Sequence, residues 1–159
     1  LMNLINIRSA TIEDISLIFS FIQKKADFDR DIGAFSGKLQ VSEDKLRKTL
    51  FGSTPFAAVL FAELAEQAIG FALYGFRYSS FAGQPSIWLD DLYVNHEMRS
   101  QGAGAALMAE LARIAQVNDC THLAWTADAR NIRGLRFYDR VGAKVTEQQG
   151  NRCFLRWIP

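Results

Sequence analysis

Arg99-Ser100-Gln101-Gly102-Ala103-Gly104-Ala105-Ala106-Leu107 decides how the chain is read. It follows the apolar stretch Ile87 to Val94, which reads as a strand, and it opens a run in which Leu107, Met108, Leu111, Ile114 and Ala115 share one face of a helix of about four turns. Glycines at such a junction let backbone N–H groups approach an anion, and the helix N-terminus adds roughly half a positive charge there. Gly102 and Gly104 would equally serve a tight turn and helix-to-sheet packing, and a lone glycine pair does not separate the two. Two other phosphate loops fail on the residues themselves. A Walker loop needs Gly-Lys-Ser/Thr, and a Rossmann fingerprint needs glycine or alanine where Leu107 stands, with an acidic residue roughly 20 positions on, near His122.

Upstream, Asn3 to Arg8 alternates as a short strand. Thr11-x-x-Asp14 then resembles a capping box that opens a helix with Ile15, Ile18, Phe19 and Ile22 on its apolar face. That helix is expected to end near Lys25, because Asp27-Phe28-Asp29-Arg30-Asp31-Ile32-Gly33 is charged, aromatic and aperiodic, as a loop or frayed end is. Ser42 caps a second short helix to about Leu50. Phe56 to Leu64 and Ala68 to Tyr78 form a hairpin about Ala65-Glu66-Gln67, and Ser79 to Pro85 turns the chain into the strand Ile87 to Val94. Downstream come a strand over Thr121 to Thr126, a helix over Ile132 to Val141 capped by Gly142, and a hairpin of Ala143 to Gln148 with Arg152 to Ile158. The order predicts one α/β domain over residues 1–159, with a mixed, mostly antiparallel central sheet flanked by helices.

Composition agrees with a single core. A chain of 159 residues buries about 68–70% of its unfolded surface, and 49% hydrophobic residues supply that core. Lys+Arg 18 against Asp+Glu 17 leaves +1, too little field to hold nucleic acid or an anionic membrane non-specifically. Cys120 and Cys153 are far apart and make neither C-x-x-C nor Cys/His metal spacing, so no metal site is expected and both read as small hydrophobes in a reducing compartment. Leu1-Met2-Asn3-Leu4 lacks the basic and apolar regions of a signal peptide, and no apolar run approaches the ~20 residues of a membrane span. A cytoplasmic protein is expected. His96 and His122 have no Ser or Cys partner in a recognisable nucleophile motif, which argues against a covalent acyl-enzyme.

Arg99-x-x-Gly102-x-Gly104 after an apolar strand resembles the pyrophosphate-binding motif of the Gcn5-related N-acetyltransferases. The segment order is also that family's, so the resemblance spans nearly the whole chain. More narrowly, Leu89-Asp90-Asp91-Leu92-Tyr93-Val94, the glycine turn, Asn131, Phe137-Tyr138 and Gly142-Ala143 resemble the spermidine/spermine (diamine) branch. Ile7-Arg8-x-Ala10-Thr11, Phe51-Gly52, Pro55-Phe56 and Gly70-Phe71-Ala72 with Tyr74 agree with it.

Read from the residues, strand alternation puts the Asp90 and Asp91 carboxylates on opposite sides, and an acidic pair there also suits a bulge or strand edge. The resemblance makes these positions amine recognition and a carboxylate that accepts a proton through water, here Asp90, where the branch usually has Glu. It makes Tyr138 a hydrogen-bond or proton donor to the departing thiolate, although by itself the residue reads as an amphipathic core tyrosine. Asn131 is a helix N-cap from its position, and a coenzyme A contact by resemblance. The resemblance further assigns acetyl-coenzyme A to Leu92, Tyr93, Val94, Arg99, Ser100, Gln101, Gly102, Ala103, Gly104, Ala105, Asn131 and Tyr138, and a cationic amine to Phe28, Asp29, Asp90 and Asp91, with Asp31 beside them. Backbone N–H groups of Leu92 to Val94 would hold the thioester carbonyl.

The implied activity is direct transfer of an acetyl group from acetyl-coenzyme A to a primary amine of a small diamine, polyamine or diamino-acid analogue, without metal, in a ternary complex. Where the branch carries tryptophan after glycine, this chain has Asn151 after Gly150, which removes an apolar wall and favours short acceptors. A homodimer is implied too, and Trp157 and Ile158 on the terminal strand offer an apolar edge to bury. The rivals are a protein or peptide N-acetyltransferase, a non-catalytic coenzyme A-binding module, and a dinucleotide oxidoreductase weakened by the failed Rossmann test.

Overall fold

Val59, Leu60, Phe61 and Ala62 are all buried, so this strand reads as a continuous apolar run rather than an alternation, the signature of a sheet covered on both faces. The computed structural model describes residues 4–159. Its elements are β1 (Asn6–Ser9), α1 (Ile15–Asp31), α2 (Glu43–Leu50), β2 (Ala58–Leu64), β3 (Gln67–Ser79), β4 (Gln84–Val94), α3 (Ala103–Val117), β5 (Leu123–Asp128), α4 (Ile132–Val141), β6 (Lys144–Gln149) and β7 (Arg152–Trp157). The strands form one seven-stranded sheet in the order β1-β2-β3-β4-β5-β7-β6. β4 and β5 run parallel, joined through α3, and the other neighbouring pairs are antiparallel. The mixed, mostly antiparallel α/β architecture expected from the segment order is the one observed. Of the expected first strand, Asn3 lies outside the described residues.

Alternate residues of β2 feed two cores. Leu60 and Ala62 join Leu107, Leu111, Trp125 and Tyr138 on the α3–α4 face. Phe61 joins Ile18, Phe21, Leu46 and Phe71 on the α1–α2 face, with the Phe21 and Phe71 rings stacked at 5.2 Å between centroids.

α1 runs six residues past the expected end at Lys25 and takes in Asp27 to Asp31. The charges that read as a loop are helical partners: Lys25 bonds Asp29 at i,i+4 and Arg30 bonds Asp27 at i,i+3. The true stop is Gly33, left-handed at φ 80°, whose N–H returns to the Arg30 carbonyl. Phe28 and Asp29 therefore sit on a fixed helical turn.

The terminal strand also differs from expectation. β7 lies between β5 and β6, so its edges are paired, and β6 forms the sheet edge with all its residues exposed. Among the described residues no helix is long and apolar enough to cross a membrane.

Candidate active site

β4 and β5 pair at Ile87 with Leu123 and at Trp88 with Ala124, and beyond that point the two strands separate. The sheet is parted there, and a cleft of about 780 Å³ opens between Leu89–Val94 on one side and Trp125–Asp128 on the other. The α1 end, the start of α3 and α4 complete its walls. A parallel pair joined by a helix parts more readily than a hairpin, because no tight turn ties the diverging ends. Backbone groups of β4 on the β5 side are thereby left without ladder partners and face the cleft.

At the α3 end, Ser100 (φ 66°) and Gly102 (φ 90°) are both left-handed and fold the chain back into the helix. Gly102 is the N-cap, and among the described residues no side chain caps the helix. The leading amides of Ala103, Gly104 and Ala105 lack intrahelical acceptors, and Ser100 and Gly102 to Ala105 line the cleft. Gln101 is exposed and does not line it. Gly104 has a second, purely structural duty: a Cβ there would lie 3.1 Å from the Phe137 ring. Arg133 on α4 donates to Ser100 Oγ at 3.1 Å, tying the two helix starts together. Arg99 also lines the cleft, its Nε donating to the Val94 carbonyl at 3.1 Å and its guanidinium lying over Phe28 and Tyr93, 5.1 and 5.6 Å from the ring centroids. It locks the turn to β4 and covers the aromatic residue assigned to the acceptor.

The acidic pair does not alternate. Leu73 pairs with Asp91 and Tyr74 with Leu89, so Asp90 is the extra residue of a β-bulge, and both carboxylates line the same cleft. The expectation of opposite faces fails for that reason. Asp90 is exposed and Asp91 half-buried. Burial pushes the Asp91 carboxyl up to about 6, with Asp90 and Asp29 adding to the rise and Lys25 opposing it. Asp29 reaches the cleft from α1 and is held by Lys25 Nζ at 2.5 Å.

Tyr138 is buried on α4, its ring 5.1 Å from Trp125 and 5.5 Å from Phe137. It lines the cleft, and among the described residues its hydroxyl has no hydrogen-bond partner. Burial raises its pKa strongly, and Asp91 and Asp29 raise it further, so the phenol stays protonated. Asn131 is the N-cap of α4, with Oδ1 accepting from the Gly134 N–H at 3.0 Å, and it also borders the cleft. Gly134 is needed there, because a Cβ would lie 2.4 Å from Asn131 Nδ2.

Sequence reasoning missed Lys25, Trp125, Arg133 and Arg152 as cleft residues. Trp125 Nε1 is a buried N–H with no partner among the described residues. The Lys25-x-x-x-Asp29 spacing was the one available signal, and it was hidden by reading the segment as loop. Neither His96 nor His122 lines the cleft.

Free amides and arginines on the α3–α4 side, and three carboxylates on the α1–β4 side, make a cleft of two polarities. Its residues fit a pyrophosphate-bearing thioester at one end and a cation at the other. The profile described as "Acetyltransferase (GNAT) family" matches residues 28–143. The chain belongs to that family and is an N-acetyltransferase. It is 32% identical to thialysine N-epsilon-acetyltransferase of cattle (Bos taurus), over 96% of this chain and 92% of that protein. Spermidine/spermine N(1)-acetyltransferase-like protein 1 of Homo sapiens is 27% identical over 96% of this chain, which corresponds to 22% of that longer protein. The fold is shared with the PaiA N-acetyltransferase of Thermoplasma acidophilum, solved with coenzyme A, at a TM-score of 0.74 and 18% identity over 98% of this chain and 99% of that one.

Proposed function

We propose that the protein transfers an acetyl group from acetyl-coenzyme A directly to a primary amine of a small cationic acceptor, both being held in the cleft at once. The observation that carries this is the gathering of Asp29, Asp90 and Asp91 in the same cleft as the open amides of α3. The acetyltransferases of cattle and humans described above, named for thialysine and for spermidine and spermine, support an amine of this kind.

Acetyl-coenzyme A supplies an activated acetyl thioester. Ala103 to Ala105 and Ser100, with Arg99 and Arg133 beside them, would hold its pyrophosphate, and Asn131 borders the same path. The N–H groups of Leu92 and Val94, which point away from β3 because Tyr93 and Asn95 take the ladder bonds on that side, face the place where carbonyl charge would develop. A primary alkylamine has pKa ~10.4 and must lose a proton before it attacks. Asp90, on the bulge and open to water, passes that proton to solvent, while Asp91 and Asp29 hold the remaining positive charge. Tyr138, kept protonated, donates its O–H to the departing thiolate. We further assign the protein to the cytoplasm as a homodimer, without metal.

The test is thiol release from acetyl-coenzyme A across short diamines, spermidine, diamino acids and peptides. Turnover of small diamines or diamino acids with peptides inert supports the reading. Turnover of peptides alone points to a protein N-acetyltransferase, and binding without any turnover to a non-catalytic module.

A further inference from the structure

Lys25 is a cation inside what is otherwise an acidic acceptor pocket, and the reading above gives it no task. It lines the cleft from the C-terminal half of α1, one turn before Asp29, and both side chains are three-quarters buried at 25% exposure. Its ammonium donates to Asp29 Oδ2, its one hydrogen bond among the described residues. An ammonium carries three N–H groups, so two remain to be used. The same charge reaches Asp91, whose carboxyl it pulls downward against burial.

A plain diamine offers two cations and no anion. Lys25 already neutralises Asp29, the carboxylate placed to receive the distal ammonium, and would repel that ammonium as well. The Lys25–Asp29 pair instead presents one cation and one anion side by side on a single helix face. That is the complement of a zwitterionic α-amino, α-carboxylate group, with Asp91 adding to the α-amino site and Asp90 left for the reacting side-chain amine.

We propose that Lys25 is a specificity residue that binds the α-carboxylate of the acceptor, so that the enzyme acetylates the side-chain amine of a diamino acid in preference to the corresponding carboxylate-free diamine. This rests on the acetyl-transfer reading of the cleft and narrows its acceptor. A charge-assisted hydrogen bond of this kind supports a discrimination of about tenfold or more.

A matched pair of acceptors isolates the carboxylate: S-(2-aminoethyl)-L-cysteine and bis(2-aminoethyl) sulfide, which differ by that group alone. Steady-state thiol release is measured with wild type, Lys25→Met and Lys25→Arg, with calorimetric acetyl-coenzyme A affinity as the check on folding. Wild type should favour the amino acid in kcat/KM by about tenfold or more. Lys25→Met should raise KM for the amino acid and lower it for the sulfide, because Asp29 is released, and Lys25→Arg should keep the wild-type preference. Any change that Lys25→Met makes in Asp91 acts on both acceptors and cancels in their ratio. Equal use of the two compounds by wild type, a comparison that needs no variant, overturns the inference, as do KM changes of the same sign and size in Lys25→Met. Failure of wild type to acetylate either compound overturns the small-amine acceptor itself, and this inference with it.

Discussion

Tyr138 is buried and Asp91 half-buried, and burial acts on them in opposite functional senses. For Tyr138 it guarantees a neutral O–H beside Trp125, a donor that no physiological pH removes. Tyr138→Phe keeps the ring and its packing, so acetyl-coenzyme A affinity should hold while turnover falls by about 10²–10⁴-fold, read by single-turnover kinetics. For Asp91, burial raises the carboxyl from 3.8 to about 6. A carboxyl whose folded pKa is raised contributes stability that is complete below its unfolded value and is lost as pH climbs through the folded one. Wild type therefore carries the burial cost in full at pH 7.5 and not at pH 3.5. Asp91→Asn should melt higher than wild type at pH 7.5, by on the order of 1–3 kcal/mol, with the gain vanishing towards pH 3.5 in thermal scans. The same titration sets a functional limb: KM for a cationic amine should rise in wild type as pH falls through about 6, and Asp91→Asn should abolish that limb. Asp90→Asn should lower kcat instead, which separates charge recognition from proton removal.

At the scale of elements, the start of α3 is the feature whose two duties can be pulled apart. Gly104 is a poor probe, since any side chain there meets Phe137 before it meets a cofactor. Ala105 is exposed, stands in the first turn and lines the cleft. Ala105→Asp places a carboxylate where the helix dipole favours it, worth about 0.3–1 kcal/mol to the fold, yet the same charge opposes a pyrophosphate. The variant should melt at or above the wild-type temperature and bind acetyl-coenzyme A at least about tenfold more weakly, the two read by calorimetry. α1 teaches a complementary lesson. Its last turns look like loop because charge breaks the apolar pattern, but Lys25–Asp29 and Asp27–Arg30 are helix-spaced pairs, and the helix continues until Gly33 reverses it. That extension carries Phe28, Asp29 and Lys25 to the mouth of the cleft.

For the whole molecule, the parting of β4 from β5 is decisive, because it turns the middle of a closed sheet into a cleft reached by α1, α3 and α4. A net charge of +1 gives no global steering, so the two polarities of this cleft must select their own partners locally. β7 is paired on both sides and β6 forms an exposed edge, so the proposed homodimer has β6 available where the terminal strand is not. Light scattering at high micromolar concentration should give twice the monomer mass, and a monomer mass there rejects the dimer.

The order of elements, the glycine turn that opens α3, the caps at Ser42 and Asn131 and the acidic pair at Asp90–Asp91 were all legible in the chain, because each depends on neighbours within a few residues. Tertiary structure decided the rest. The bulge that brings Asp90 and Asp91 into one cleft depends on β3 pairing two residues against three, which β4 cannot declare alone. The burial of the Trp125 N–H, unpartnered among the described residues, and the reach of Arg133 to Ser100 depend on α4 packing beside β5 and α3. Asp91 owes its raised carboxyl to burial, and the charges of Lys25 and Asp29 that modulate it lie more than sixty positions away in the chain. Local physics writes periodicity, turns and caps into sequence, whereas burial and long-range charge exist only once the sheet has formed and parted.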